Sequence, residues 1–337
     1  MKNVTLKDVA KAAGVSYATV SRALSGSSQI GSETRERVLK LCDEMGYTTN
    51  FVARSMVTKR TNLIGLVVPS VDNQFMSELA YHAEVSARAH GYNIMLCDSG
   101  PDLKQEKTVF KLLLGRQVDG ILIVPQSSKS YDNLKSYLDQ VPTVFLSENL
   151  RQPQSYVAVD NSRGTYLGTQ YLYELGHRDI LYFGQRPGST THQLRADGYM
   201  KACHEFNLTP HFFNSEYSRS SIQGGYQLAK ELFRKPLDCT AVFAATDSNA
   251  LGILTAADEM GIDIPGHLSL IGFDNISATA LSRIDLTTVD QPKRDMAVQA
   301  VDMLRDKIEN GTQGYVHQIL LPTLIQRGTC RKLDPSK

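Results

Sequence analysis

Residues 5–24 read TLKDVAKAAGVSYATVSRAL, and that string dictates two short helices with a tight turn between them. Thr5 with Asp8 three positions later forms a capping box, in which each side chain satisfies a backbone amide left open by the first helical turn. Leu6, Val9, Ala10 and Ala13 recur at i, i+3, i+4 and i+7 as one apolar stripe. Gly14 stops the helix, because glycine enters the left-handed conformation without steric cost. Ser16 is placed to cap a second helix running to Leu24, and two helices across a glycine-containing turn make a helix-turn-helix. The second helix is divided. Val20 and Leu24 face inward, while Tyr17, Ala18, Thr19, Ser21 and Arg22 are small or hydrogen-bonding and stay outside. A recognition helix needs that division, because its first residues must reach base edges in the major groove. Arg22 suits a bidentate pair with guanine. A helical hairpin that binds nothing shares the turn chemistry; the polar outer face favours DNA.

A third helix is expected over residues 32–46, with Val38, Leu41, Cys42 and Met45 as its buried stripe. Residues 50–56, NFVARSM, form a short segment that alone would be a marginal helix; packed against a symmetry mate and DNA, it could fold. Charge supports a polyanion as partner. Residues 1–60 hold ten Lys or Arg against five Asp or Glu, a net of +5, whereas the 337-residue chain as a whole carries only +1.

Together, TLKDVAKAAGVSYATVSRALSG, TRERVLKLCDEMGY and NFVARSM resemble the lac repressor and purine repressor family (LacI/GalR), and the likeness extends over almost the whole chain. The resemblance implies that Thr5, Leu6, Ser16, Tyr17, Ala18, Thr19, Ser21 and Arg22 contact operator DNA. It also implies a hinge helix at residues 50–57, with Asn50, Ala53 and the apolar wedge Met56 entering the minor groove. Leucine is usual at the position of Met56, and proline commonly stands where this chain has Thr49; both departures bear on how the hinge starts and wedges.

From residue 62 the periodicity changes. Residues 63–68, LIGLVV, are a continuous apolar run, as expected of a strand buried on both faces. A helix over 73–90, strands over 93–97, 118–124 and 143–146, and helices between them predict a doubly wound parallel sheet. The cycle repeats with a helix at 162–175, a strand at 179–183, a helix at 194–206, a strand at 241–245, a helix at 248–260 and a strand at 269–273. Near Val289 to Pro292 the chain is expected to return to the first lobe, with a helix over 293–308. The expected fold class is α/β: a helix-turn-helix domain over 1–47, a hinge and linker over 48–61, and a two-lobed sensor over 62–330. Lobe one takes about 62–160 and 291–320; lobe two takes 161–290 and 321–330. The family resemblance implies a periplasmic-binding-protein-like, type I architecture.

In open parallel sheets, ligands sit beyond the carboxyl ends of the strands, which in a two-lobed protein means the cleft. Candidate ligand contacts are therefore Asp72, Asn73, Phe75 and Met76 after the first strand, and Ser147 and Glu148 after the fourth. In lobe two they are Asp160, Ser189, Thr191, Arg195, Thr246, Asp247 and Asp274, with Tyr217 by loose alignment. Carboxylates and amides bind hydroxyl pairs, and Phe75 offers an apolar face, which suits a sugar-like ring. Several of these side chains are equally suited to capping the following helix. Arg195 is expected at a helix start, where its charge opposes the dipole. The resemblance implies effector contact for Arg195 and Asp274, so Arg195→Ala is expected to abolish the ligand response. Relatives that bind purines usually carry Asp and an aromatic after the fourth strand; Ser147 and Glu148 stand there, which points away from a purine.

Enzymes of similar architecture carry motifs that this chain lacks: GxGxxG or GxxxxGK[ST] after the first strand, a GxSxG elbow, or an HExxH pair. The eight histidines are dispersed, and His177 in LGHRDI is expected to be structural. The five cysteines form no CxxC pair, so neither a zinc site nor a disulfide framework is expected, and a reducing compartment fits. No cofactor is expected. An exported sugar-binding protein would need a signal peptide and would not need residues 1–60. No apolar run reaches the length of about 18 residues that a membrane span requires. A single small helix-turn-helix reads few base pairs, so a homodimer on a palindromic operator is expected. The polar end, TCRKLDPSK, is too short for an added tetramerisation helix.

Overall fold

The computed structural model describes residues 4–24, 29–47, 60–148, 152–214 and 220–333. The expectations for Thr49, Asn50, Ala53, Met56 and Tyr217 lie outside these residues. The chain divides into two units, Met1–Thr61 and Asn62–Lys337.

The first unit is built on helices α1 (Leu6–Ala13), α2 (Tyr17–Leu24) and α3 (Ser32–Glu44). The capping box forms in both directions: Thr5 N donates to Asp8 Oδ2 at 2.8 Å and Asp8 N to Thr5 Oγ1 at 3.4 Å. Gly14 ends α1 at φ 64°, with its amide turned back onto the Ala10 and Lys11 carbonyls. Val9, Ala10, Ala13, Val20, Ala23, Val38 and Cys42 make the core, with Leu6, Leu24, Leu41 and Met45 packed on it. The core is small, as befits three short helices.

The second unit holds two six-stranded sheets. Strands β1 (Leu63–Val68), β2 (Asn93–Asp98), β3 (Gly120–Ile123), β4 (Thr143–Leu146) and β5 (Ser155–Val159) alternate with helices α4 (Gln74–Ala89), α5 (Leu103–Gly115) and α6 (Ser130–Leu138). Helix α7 (Asn161–Glu174) carries the chain to the second sheet, made of β6 (Ile180–Phe183), β7 (His211–Phe213), β8 (Ala241–Ala244), β9 (Ser269–Asp274) and β10 (Thr287–Asp290). Helices α8 (Thr190–Glu205), α9 (Ile222–Leu232) and α10 (Asp247–Met260) connect those strands. The chain then returns through α11 (Lys293–Asn310) to β11 (His317–Leu320), and crosses again to β12 (Thr323–Ile325). The sheet orders are β11-β5-β4-β3-β1-β2 and β12-β10-β9-β8-β6-β7. All pairings are parallel except β10 with β12. The helical crossovers cover both faces, so β1, β3, β4 and β5 are apolar and buried almost throughout. Met296, Ala297, Ala300, Val301 and Leu304 of α11 enter the core beneath β1 and β3 together with Leu79 and Ala83 of α4.

Two differences from the sequence expectation have clear causes. Helix α8 starts at Thr190, four residues before the predicted start, because Ser189 caps it by accepting from His192 N at 3.3 Å after the left-handed Gly188. Arg195 is therefore in the second turn, and the dipole argument for it falls away. Helix α9 has no counterpart in the sequence reading, because Gly224 and Gly225 look like a turn. Those glycines serve packing instead. A Cβ on Gly225 would stand 2.6 Å from the Asn249 carbonyl oxygen, and one on Gly252 would stand 2.3 Å from Tyr226 N. Helices α9 and α10 thus touch backbone to backbone. Gly252→Ala forces that contact apart and is expected to cost about 1–3 kcal/mol. Urea denaturation of the full chain checks this, and an unchanged midpoint would refute the close approach.

Candidate functional site

The first unit presents one polar helix face. Ser16 starts α2 by accepting from Thr19 N at 3.1 Å, and its hydroxyl also meets Thr19 Oγ1 at 2.9 Å. Val20 and Ala23 are buried beneath. Tyr17 is 54% exposed, and Ala18, Ser21 and Arg22 are exposed with it, spanning an arc of about 140° on the helix wheel. Thr5 and Leu6 lie differently: the Thr5 hydroxyl donates to Asp8 Oδ2 at 2.6 Å and Leu6 packs on the core. The helix is therefore held from behind by the other two while its outer residues stay accessible.

The second unit holds a cleft of about 860 Å³ at the carboxyl ends of both sheets. It brings together Asp72, Asn73, Phe75, Met76, Ser147 and Glu148 from the first lobe with Ser189, Thr191, Arg195, Thr246 and Asp274 from the second. Two other sequence-predicted residues do not line it. Asp160 caps α7, accepting from Arg163 N at 2.9 Å. Asp247 points beneath the cleft floor, where it accepts from Thr288 Oγ1 at 2.6 Å and Ile276 N at 2.9 Å.

Arg195 and Asp274 form the floor on the second lobe. Arg195 donates through Nε to Asn161 Oδ1 at 2.9 Å, through Nη1 to the Ala245 carbonyl at 2.6 Å and through Nη2 to Asp274 Oδ1 at 3.4 Å. Its guanidinium also stacks on the Phe273 ring, 3.8 Å from the centroid. Gln291 Nε2 donates to the same Asp274 oxygen at 2.6 Å, and Lys293 Nζ donates to the Asp274 and Asn275 carbonyls at 2.8 and 2.7 Å. Those bonds hold Asp274 and Asn275 at φ 127° and 50°, conformations that L-residues rarely adopt and that persist where the surroundings over-determine them. Burial pushes the Asp274 carboxyl up, against the pull of Arg195, Gln291 and Lys293. Burial and the neighbouring Asp274 charge push Asp247 up to about 7.

Hydrogen bonds also cross the cleft. Thr191 Oγ1 donates to the Ser147 carbonyl at 2.9 Å, and Asn73 Nδ2 to the Ser220 carbonyl at 3.0 Å. His192, buried on the second wall, accepts from Arg186 N at Nδ1 and faces Ser220 Oγ at Nε2. Burial and the nearby Arg195 and Arg186 charges hold its pKa well down, so it is a neutral imidazole with its proton on Nε2. Sequence reasoning missed His192, together with Asp98, Gln126, Arg186 and Ser220, all of which line the cleft. For Asp98, Gln126 and Arg186 the signal was present, because Asp98 ends β2 and the other two follow β3 and β6, as the chosen residues follow other strands. Elsewhere, His177 is wholly buried between Thr240 Oγ1 at 2.8 Å and the Arg331 carbonyl at 3.1 Å, a structural staple. Among the described residues, no group of three His, Cys, Asp or Glu is placed to hold a metal ion.

Residues 5–50 match the lacI family of bacterial regulatory proteins, and residues 169–330 match the periplasmic binding protein-like domain. Over 328 residues, 96% of this chain and 96% of the relative, the sequence is 33% identical to the HTH-type transcriptional repressor PurR of Edwardsiella ictaluri. The chain belongs to the lacI family. This lacI-family protein is a DNA-binding transcription regulator, with a helix-turn-helix head and a periplasmic-binding-protein-like body. Its fold matches the lac repressor dimer bound to operator and the anti-inducer ONPF, with a TM-score of 0.86, 28% identity and coverage of 98% of this chain and 100% of that one. It is also similar to the transcriptional regulator CelR in complex with cellobiose, with a TM-score of 0.70, 27% identity and coverage of 97% and 100%. Among its described residues, no helix is long and apolar enough to cross a membrane.

Proposed function

We propose that this regulator represses transcription as a homodimer on a palindromic operator, and that a small carbohydrate-like ligand in the cleft sets its operator affinity. The observation that carries the ligand half is the two-walled cleft, whose walls come from different sheets and already meet through Thr191–Ser147 and Asn73–Ser220. A ligand seated between such walls changes their spacing. The first wall continues directly from the segment after the helix-turn-helix, so the change is transmitted along the chain to the hinge at residues 48–61. Arg195 and Asp274 hold the ligand, with Phe75 beneath its apolar face. On DNA, Tyr17, Ala18 and Arg22 read bases, while Thr5, Leu6, Ser16, Thr19 and Ser21 set register against the backbone. Asn50, Ala53 and Met56 open the minor groove at the centre. The working division is 1–47, 48–61 and 62–330. The protein acts by binding, not catalysis, in the bacterial cytoplasm and on the nucleoid when bound to DNA.

A thermal-shift screen of sugars, nucleosides and purines identifies the ligand, because binding to the native state raises its stability by mass action. Operator titration with and without the hit then shows a change of about 5- to 150-fold, a coupling of about 1–3 kcal/mol. A ligand that binds tightly and leaves operator affinity unchanged would remove the regulatory half of the proposal. Arg22→Ala weakens specific operator binding by about 1–3 kcal/mol and relaxes the preference at one guanine, with little change on non-specific DNA. Equal loss on both DNAs would place Arg22 on a phosphate instead.

A further inference from the structure

The polar groups of the cleft carry a sign, and it constrains the ligand. Four helices start at the cleft, and a helix start is the usual seat of an anion. Every one of these starts is already capped by a side-chain oxygen of the cleft wall. Asn73 accepts from Met76 N at 3.2 Å, Ser189 from His192 N at 3.3 Å, Ser221 from Gly224 N at 3.1 Å and Thr246 from Asn249 N at 3.2 Å. At the start of α8 the seat is taken twice, because the Glu148 carboxylate lies against the Thr190 amide and hydroxyl. Among the described residues, the lining adds four carboxylates, Asp72, Asp98, Glu148 and Asp274, against two guanidiniums. One of those, Arg195, is committed to Asp274.

Two acceptors of the cleft wall are left without donors. Glu148 Oε1 and Gln126 Oε1 are buried without a hydrogen-bond partner, in side chains of residues only 4% and 6% exposed. They are neighbours by register: Ile123 of β3 pairs with Phe145 of β4, and each acceptor lies three residues beyond its member of that pair. Behind them, Glu106 is wholly buried and accepts from Gln126 N at 2.9 Å and Ser130 Oγ at 2.6 Å, so the patch is acidic in depth as well. Burial pushes the Glu148 carboxyl up, and the Glu106 charge adds to this. Orphaned acceptors in a buried wall cost free energy until a donor reaches them.

We propose that the effector is a non-anionic molecule that presents a hydrogen-bond donor, an amino or hydroxyl group, to Glu148 Oε1 and Gln126 Oε1, and that phosphorylated and carboxylated ligands are selected against. This rests on the ligand-controlled reading above and narrows it.

The test is calorimetric titration of the full chain with matched sets: glucose, galactose and cellobiose as the neutral compound, the 2-amino-2-deoxy derivative and the 6-phosphate. The expected binders are neutral or amino members, with each phosphate at least about 10-fold weaker than its parent. Glu148→Gln then separates the two donors. It weakens an amino ligand by about 10- to 150-fold and a hydroxyl ligand by about 2- to 10-fold. A phosphate that binds as tightly as its parent and shifts operator affinity would overturn the inference while leaving ligand control standing. An affinity unmoved by Glu148→Gln would overturn the assigned seat. No binding by any member would count against the inference and against ligand control together.

Discussion

Arg195→Ala lowers the stability of the folded chain by about 3–5 kcal/mol, the usual consequence of removing one partner from a buried ion pair. Arg195 is 3% exposed and Asp274 4%, so the pair is buried although it lines the cleft. The substitution strips Asp274 of its cation, leaves Asn161 Oδ1 and the Ala245 carbonyl without their donor, and removes the group stacked on Phe273. Lysine is not a substitute, because it offers a point charge in place of a planar fork that bonds three acceptors and lies flat on a ring. Urea denaturation followed by circular dichroism, with operator binding measured on the fraction that remains folded, checks both stability and response. A loss below about 1 kcal/mol would mean that the site relaxes or hydrates more readily than its burial implies. The sequence reading expected only the ligand response to disappear; the packing around Arg195 adds the loss of stability.

Asp247→Asn acts in the opposite direction, and its effect depends on pH. The Asp247 carboxyl is pushed up to about 7 by burial and by the Asp274 charge, from an ordinary 3.8. Between those values the unfolded chain gives up the proton while the folded chain keeps it. The folded state therefore binds more protons, stability falls as pH rises through that window, and the penalty is complete above about 7. At its largest it is on the order of 4 kcal/mol. Asparagine carries no charge, keeps an oxygen for Ile276 N and turns its NH₂ towards the Thr288 hydroxyl, which can accept. The variant is expected to be at least as stable as the parent at pH 8, with the advantage shrinking towards pH 4. His177, held down to about 4 by burial, contributes the reverse slope, since it gains stability as pH rises from about 4 to 6.5. Comparing the two proteins at each pH cancels that contribution. A variant less stable than its parent at pH 8 would show that Asp247 is ionised and satisfied in the fold.

Local patterning was sufficient for the head and for the frame of the body. Thr5, Gly14 and Ser16 act through neighbours within a few residues, so the capping box, the left-handed stop and the second cap were all readable before any contact was known. The strand runs LIGLVV and TVFL were equally plain, because a strand buried on both faces needs apolar residues at every position. The rule that ligands sit beyond strand ends located most of the cleft for the same reason.

What was illegible depended on partners far apart in the chain. Gly224 and Gly225 look like breakers until α9 and α10 meet at backbone distance. Asp247 follows β8 and Asp274 ends the adjacent β9, and the two look alike in sequence. Tertiary placement turns one beneath the floor to tie Ile276 and Thr288, and the other up to meet Arg195. Gln126 and Glu148 follow strand ends, but nothing local marks their oxygens as unpartnered. Their unpartnered oxygens lie in a buried wall that forms only where β3 and β4 run side by side. Caps, stops and apolar periods are written in short-range geometry, and the chain determines them alone. Burial, pairing and the sign of a cleft are sums over distant residues, and only the folded arrangement decides them.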